Sequence, residues 1–585
     1  MKLSFSDCHI VQENGSSAQG MTVSYNKEQQ GYSFVLENHS CKPQKIKEVI
    51  LYHGSMPFPG QTTFYGEGYS KLSLYAGTVT NPRNITKYAD AQHYKLPQKD
   101  GFFTVYHMIR FFHDQQYTLL GFCSCRRFVG EIRFNERTLE IALQLENIEI
   151  AAGESCVLEE FFCGCHENQA VLMAQFASKI QASHPKLPLP ERPTGWCSWQ
   201  WFGPRVTETD IVNNMHAIQE RLPNLKYIQI DDGYQAAMGD WLSECDSFTD
   251  VKQLLLDIQE QGFEPAIWVA PFIAEEKSQL FQQHPDWFVQ DEAGQPLPSD
   301  RYSFGGWRCG PWYMLDGSHP EAQAYLTHVF RTMRQKWHCK YFKLDANMWG
   351  AMPFGRRYDV TATCVEAYRQ GMQAVLEGAG EDSVILGCNA PMWPSLGVVN
   401  SMRVTNDIAR NWNLIKELAH TGFYRSWQNG TLWMNDPDCL ILENNQIRIV
   451  APDGQLFENK TDVTENEFHF HAAYILACGG FVLLGDDVSA ISQPHLDMIQ
   501  KILAFHGPAA QFMDDSHRVG KIPTDSGMLL FLFNFDNAPQ TIDVSLDGAY
   551  QTLDFWTEQQ EGLQEDAISL VLPPHSAKVL VCTKV

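Results

Sequence analysis

Eight short apolar runs recur between Gly195 and Leu484: Gly195–Trp199, Tyr227–Asp231, Pro265–Ala270, Tyr341–Asp345, Val384–Cys388, Ser401–Val404, Thr431–Asn435 and Phe481–Leu484. Helix-like stretches separate most of them, and strands that alternate with helices make a parallel sheet. Eight such units predict a (β/α)₈ TIM barrel. The fifth and sixth runs are separated by only about a dozen residues, too few for a regular helix, so that crossover is expected to be degenerate. The stretch from Phe272 to Gly317 is too long for a simple connection and is rich in Trp, Pro and Gly. It reads as an active-site lid or wall, with a structural insertion as the other reading.

The flanks have a different texture. Up to Ile180 the chain is a series of short β segments with turns between them, such as Phe103–Phe112 and the alternating Leu139–Leu145. After about residue 510 short β segments return, as in Met528–Phe533 and Ala577–Val581. The expected organisation is an amino-terminal β-sandwich over 1–185, the barrel over 186–508, and a small antiparallel β domain over 509–585. The run Pro185-Lys-Leu-Pro-Leu-Pro-Glu-Arg-Pro193 is the expected first joint.

A formal charge of −25 disfavours phosphate backbones and anionic lipid surfaces, so neither nucleic acid nor membrane is an expected partner. The longest apolar stretch, Ala472–Gly485, is too short to cross a bilayer. The opening Met-Lys-Leu-Ser-Phe-Ser-Asp-Cys lacks the apolar run of an export signal. A cytoplasmic location is expected, with the 16 cysteines as free thiols. Cys123-Ser-Cys125 and Cys163-Gly-Cys165 lack the spacing of zinc sites, so no metal is expected.

Catalytic groups of a TIM barrel cluster where the strands end. Here the ends are acidic: Asp231-Asp232 after the second run, Asp345 after the fourth, Asp407 after the sixth, Asp436 and Asp438 after the seventh, Asp486-Asp487 after the eighth. A single such residue would be read as a helix cap or turn former, but five acidic strand ends in one barrel point to a polar pocket. Glycosidic bond cleavage needs two carboxyl groups, one attacking and one donating a proton. Asp345 suits the first role, because Lys343 shares its strand face and its positive charge favours the ionised form. Asp407 suits the second.

These motifs resemble those of glycoside hydrolase family 36, the α-galactosidase and raffinose-synthase-like enzymes. The resemblance runs from about Phe102 to Val488. It rests on Gly195-Trp-Cys-Ser-Trp199, Gln229-Ile-Asp-Asp-Gly233, Gly239-Asp-Trp241, Ile267-Trp-Val-Ala-Pro271, His284-Pro-Asp-Trp287, Lys343 with Asp345, Arg403 with Asp407, and Trp433-Met-Asn-Asp-Pro-Asp-Cys-Leu440. It implies Asp345 as nucleophile, Asp407 as acid/base, and Asp231 with Asp232 holding the O4 and O6 hydroxyls of a terminal galactose. It also implies Trp268, Lys343 and Arg403 around the same sugar, with Trp199 and Cys388 completing the substrate-binding candidates. No cofactor is implied.

Leu344 and Ala346 flank Asp345 where many longer members have Trp and Met, and Cys388-Asn-Ala-Pro391 stands where many have Cys-x-x-Gly-Gly. The chain is therefore similar to the shorter, single-barrel branch. The loop after the fifth strand reaches the sugar 2-position in that family, which makes Asn389 and Trp393 candidates there. The stretch Phe64-Tyr-Gly-Glu-Gly-Tyr69 is a candidate to lend an aromatic from the amino-terminal domain. The expected activity is retaining, exo-acting hydrolysis of small α-galactoside oligosaccharides. The competing readings are an α-N-acetylgalactosaminidase, a raffinose-type transglycosidase and a sugar-binding protein without turnover. Oligomeric state is left open.

Overall fold

The computed structural model describes residues 3–189, 191–450 and 456–585. Met1 and Lys2 of the opening stretch, and Pro190 of the proline joint, lie outside the described residues. Eight parallel strands form the central sheet: Thr194–Cys197 (β1), Tyr227–Ile230 (β2), Glu264–Val269 (β3), Tyr341–Leu344 (β4), Val384–Gly387 (β5), Ser401–Arg403 (β6), Met434–Asp436 (β7) and Val482–Leu484 (β8). Their order is β7-β6-β5-β4-β3-β2-β1-β8, a nearly closed barrel. At the seam the Phe481 amide donates to the Asn435 carbonyl at 2.9 Å, and the Leu440 amide to Leu483 at 2.7 Å.

Strand β7 begins three residues later than the apolar run suggested. Thr431 folds back instead, its hydroxyl donating to the Trp427 carbonyl at 2.6 Å, so it closes a turn before the strand can start. The short β5–β6 crossover contains only the 3₁₀ turn Trp393–Ser395, as its length requires. Elsewhere the intervening helices start where side chains satisfy their free amides. Thr207 with Asp210, Thr363 with Glu366, and Thr464 with Glu467 form capping boxes before Glu208–Arg221 (α1), Cys364–Ala379 (α2) and Glu465–Cys478 (α3). Helix α3 is buried along most of its length, which explains the apolar stretch into β8. Among the described residues no helix is long and apolar enough to cross a membrane.

Two antiparallel sheets, of five and nine strands, occupy the amino-terminal region. In the five-stranded sheet Val105, Ile132, Ile141 and Leu143 are fully buried on one face, and Arg133, Glu140 and Ala142 are buried on the other, so these strands are covered on both sides. A six-stranded antiparallel sheet and a two-stranded one follow the barrel, around Leu530, Leu532, Val544 and Ile568. The stretch after β3 is not a loose loop. Ile273–Glu275 pairs with Trp312–Met314 in an antiparallel hairpin.

The chain divides into two compact units. One comprises Met1–Pro188, Gln235–Cys245 and Val269–Met402; the other comprises Leu189–Tyr234, Asp246–Trp268 and Arg403–Val585. Asp345 belongs to the first, and Asp231, Asp232, Arg403 and Asp407 to the second.

Candidate active site

In the first unit β4 carries Lys343 and is followed directly by Asp345, both buried. The Asp345 amide donates to the Val269 carbonyl of β3 at 2.8 Å, which fixes the backbone as the strand ends. Its Oδ1 then accepts the Ala346 amide at 2.7 Å and the Asn389 Nδ2 at 2.8 Å. Both donors come from left-handed residues, Ala346 with φ 52° and Asn389 with φ 39°. Such backbone costs about 1–3 kcal/mol in a non-glycine residue and persists where the surroundings enforce it. Here the enforcement is visible: the Cys388 amide donates to Leu344, and the Met348 amide to Asn389, both at 2.7 Å. The two loops lock each other and aim one carboxylate.

Asn389 therefore serves the Asp345 carboxylate in this structure. Trp393, the other candidate from that loop, is a core residue. Its indole is fully buried, donates to the Phe122 carbonyl at 2.8 Å and stacks on His107 at 5.2 Å. Cys388 is likewise buried, at the base of the loop. Tyr69 is buried too, and its phenol donates to the Ala351 carbonyl at 3.0 Å, beyond Asp345 on the same loop. Asn389→Ala removes the only side-chain donor among these contacts to Oδ1. It is expected to lower kcat about 10- to 100-fold with a smaller change in KM, measured on whichever of a panel of aryl glycosides is turned over fastest.

In the second unit β2 runs into Asp231-Asp232, which are 2% and 1% exposed, so both carboxylates sit inside the protein. Asp231 Oδ2 accepts Gln229 Nε2 at 2.7 Å and the Cys197 thiol at 3.3 Å, and Oδ1 accepts the Asp232 amide at 2.9 Å. Gln229, two residues earlier, reaches it because alternate residues share a strand face. Gly233 follows with φ 133°, and a Cβ there would lie 2.9 Å from the Pro204 carbonyl oxygen. Only glycine fits that turn. Trp268 on β3 is fully buried, and Trp199, after β1, is half-buried.

Arg403, at the end of β6, is buried among three aspartates. Its guanidinium lies 3.5 Å from Asp407 Oδ1 and 3.5 Å from Asp436 Oδ2, and donates to Asp438 Oδ1. Asp438 also accepts the Ile408 amide at 2.5 Å and Gln200 Nε2 at 3.4 Å, and it holds φ 74°. It joins Arg403 to the segment just after Asp407. Asp407 is the open member, its side chain 53% exposed, while Asp436 and Asp438 are buried.

The acidic strand ends thus separate by role. Asp486 after β8 is an internal ion-pair residue, bonded to Arg410 and accepting the Leu442 amide at 2.6 Å. Burial still raises its pKa above the ordinary carboxylate value, against the pull of Arg410. Asp487 caps the turn at Ser489. In the sequence Asp438 counts among the acidic strand ends without a role of its own, and Gln229 only as part of a motif. For Gln229 the signal was available, a polar residue at i−2 on the Asp231 face. Among the described residues no group of three or more His, Cys, Asp or Glu side chains is placed to hold a metal ion.

The melibiase family model matches residues 200–378, a stretch that includes Asp231, Asp232, Trp268, Lys343 and Asp345. The match indicates a glycoside hydrolase. Two curated relatives align locally. The mouse "Myogenesis-regulating glycosidase" is 26% identical over 159 residues, 27% of this chain and 22% of that protein. The "A type blood alpha-D-galactosamine galactosaminidase" of Flavonifractor plautii is 33% identical over 105 residues, 17% of this chain and 10% of that protein. The chain thus spans less than a quarter of the length of these relatives. The solved structure of the α-galactosidase TtGalA from Thermus thermophilus with p-nitrophenyl α-D-galactopyranoside has a TM-score of 0.63. It is 21% identical, with 85% of this chain and 98% of that one covered, and so shares the fold.

Proposed function

We propose that this glycoside hydrolase is a retaining, exo-acting α-galactosidase that releases terminal α-D-galactosyl residues from small oligosaccharides. The observation that carries the reading is the oriented carboxylate of Asp345, a residue inside the melibiase-matched stretch, held by Ala346 and by Asn389 from beyond that stretch. In the first step an Asp345 oxygen attacks the anomeric carbon while the Asp407 carboxyl gives its proton to the glycosidic oxygen, and the aglycone departs. In the second step the Asp407 carboxylate takes a proton from water, the resulting oxygen attacks the same carbon, and the ester to Asp345 breaks. Asp231 and Asp232 accept sugar hydroxyls, Trp199 and Trp268 supply apolar faces, and Lys343 and Arg403 offer hydrogen bonds and positive charge. The deep burial of the Asp231–Asp232 pair supports action on a chain end, because an internal residue of a polysaccharide could not thread into it.

The test is a screen of p-nitrophenyl α- and β-glycosides, with NMR of the first-formed sugar. Turnover of the α-galactoside with α-galactose appearing first supports the reading; β-galactose appearing first would overturn retention. A second reading is release of a terminal 2-amino sugar, free or N-acetylated, and it is favoured by the Flavonifractor relative, whose name gives galactosamine as its sugar. In that case an α-galactosaminide or α-N-acetylgalactosaminide is cleaved faster than the α-galactoside in the same screen.

A further inference from the structure

A separate cavity of about 260 Å³ lies on the amino-terminal sandwich, on the face of the five-stranded sheet opposite its apolar core. Strands Phe103–Tyr106, Val129–Phe134 and Thr138–Ile150 present Tyr106, Val129, Glu131 and Gln144 on that face, as their register requires. Leu96, Pro97 and Pro353 wall it. The third strand carries a bulge between Gln144 and Ile148, where Glu146 and Asn147 adopt φ 54° and 64° and join the lining. Bulges of this kind re-aim side chains and are enriched beside functional sites.

The lining is mostly apolar, and its few charged groups are balanced. Glu131 is 8% exposed, accepts Gln144 Nε2 at 3.1 Å and lies 3.8 Å from Arg133. Glu146 lies 3.7 Å from Arg357 and accepts the Cys364 amide at 3.0 Å. Each carboxylate has an arginine beside it, outside the lining, and Lys47 stands in the lining itself, so an anion would meet two carboxylates and a cation the Lys47 ammonium. A neutral ligand meets neither penalty. The other surfaces are two tyrosines, Tyr69 and Tyr106, and aliphatic or proline walls, the combination that suits a ring with hydroxyls at its edge and C–H bonds on its face.

We propose that this cavity is a second sugar site, taking one neutral, pyranose-sized polyol. Glu131 and Gln144 bond its hydroxyls, and Tyr106, Pro97 and Pro353 cover its apolar face. The site is independent of the active-site assignment, although Tyr69, described above, also lines it.

Methyl α-D-galactopyranoside and methyl α-D-glucopyranoside, titrated into the full chain and followed by saturation-transfer NMR, test it. The wild type is expected to bind at two sites. Val129→Phe, which fills the cavity, should abolish one binding event and leave kcat/KM on p-nitrophenyl α-galactoside within about twofold. Glu131→Gln keeps the shape and should weaken the same event about tenfold, the loss of one charge-assisted bond; it carries the test if Val129→Phe does not fold. Asp231→Asn should leave that event in place, which separates failure of this proposal from failure of the galactosidase reading. Absence of any binding event sensitive to both Val129→Phe and Glu131→Gln, or preferential uptake of cyclohexanol over either glycoside, overturns the proposal.

Discussion

Asp345→Ala is expected to lower kcat/KM on p-nitrophenyl α-galactoside by at least about 10⁴-fold, because the proposed covalent mechanism loses its attacking atom and not merely a contact. The substitution also strips the Asn389 amide and the Ala346 N–H of their acceptor. Thermal unfolding of the variant should accompany the assay, since two orphaned donors cost about 1–3 kcal/mol each where water does not reach them. Azide gives a second readout. The small anion enters the space left by the carboxylate and attacks the anomeric carbon from the same face, so turnover returns with β-galactosyl azide as product. Near-wild-type activity in Asp345→Ala, or an azide product of α configuration, would sink the assignment.

Asp438→Asn has the second largest expected effect, although Asp438 is proposed to act only through its neighbours. It keeps the shape of the side chain and removes the charge that balances Arg403, which remains buried beside Asp436 and Asp407. Misplacing a proton donor by about 1 Å costs on the order of 100-fold. The effect should depend on the leaving group. A sugar leaving group needs protonation as the bond breaks, whereas p-nitrophenolate scarcely does. We expect kcat/KM on a raffinose-type substrate to fall about 100-fold and that on the nitrophenyl substrate to fall far less. A purely structural lesion would lower both equally, and that outcome refutes the positioning role. Asp438→Ala should in addition unfold more readily, by about 3–5 kcal/mol, because it leaves a buried guanidinium short of a partner.

The barrel was legible because its strands are short apolar runs whose spacing leaves room for helices, and that signal is local. Strand β7 was misplaced by a few residues for a local reason as well: Thr431 and Leu432 look strand-like, but hydrogen bonds to the preceding turn capture them. The site was legible in part. Acidic strand ends can be counted in a sequence, yet whether an aspartate meets a substrate or an arginine depends on residues far along the chain. Asp486 meets Arg410, 76 positions away, and Asp438 meets Arg403, 35 positions away. Asn389 and Trp393 stand four positions apart on one loop, and nothing in their types foretells that one meets a carboxylate and the other stacks on His107. Asn389 is itself left-handed, with φ 39°, a conformation its residue type tolerates but does not announce.

The hydrogen bond from Tyr69 to Ala351 has a consequence for how such a protein can be cut and recombined. It is one of several stitches between the amino-terminal sheets and the segment that follows Asp345. Trp393 is tied to Phe122, the Thr363 hydroxyl to the Arg127 carbonyl, and the start of α2 to Glu146. The sandwich is therefore not a detachable module appended to a self-sufficient barrel. It is scaffolding for the loop that bears the proposed nucleophile, and any lineage or engineer that trades one for another version must carry the matching loop along with it.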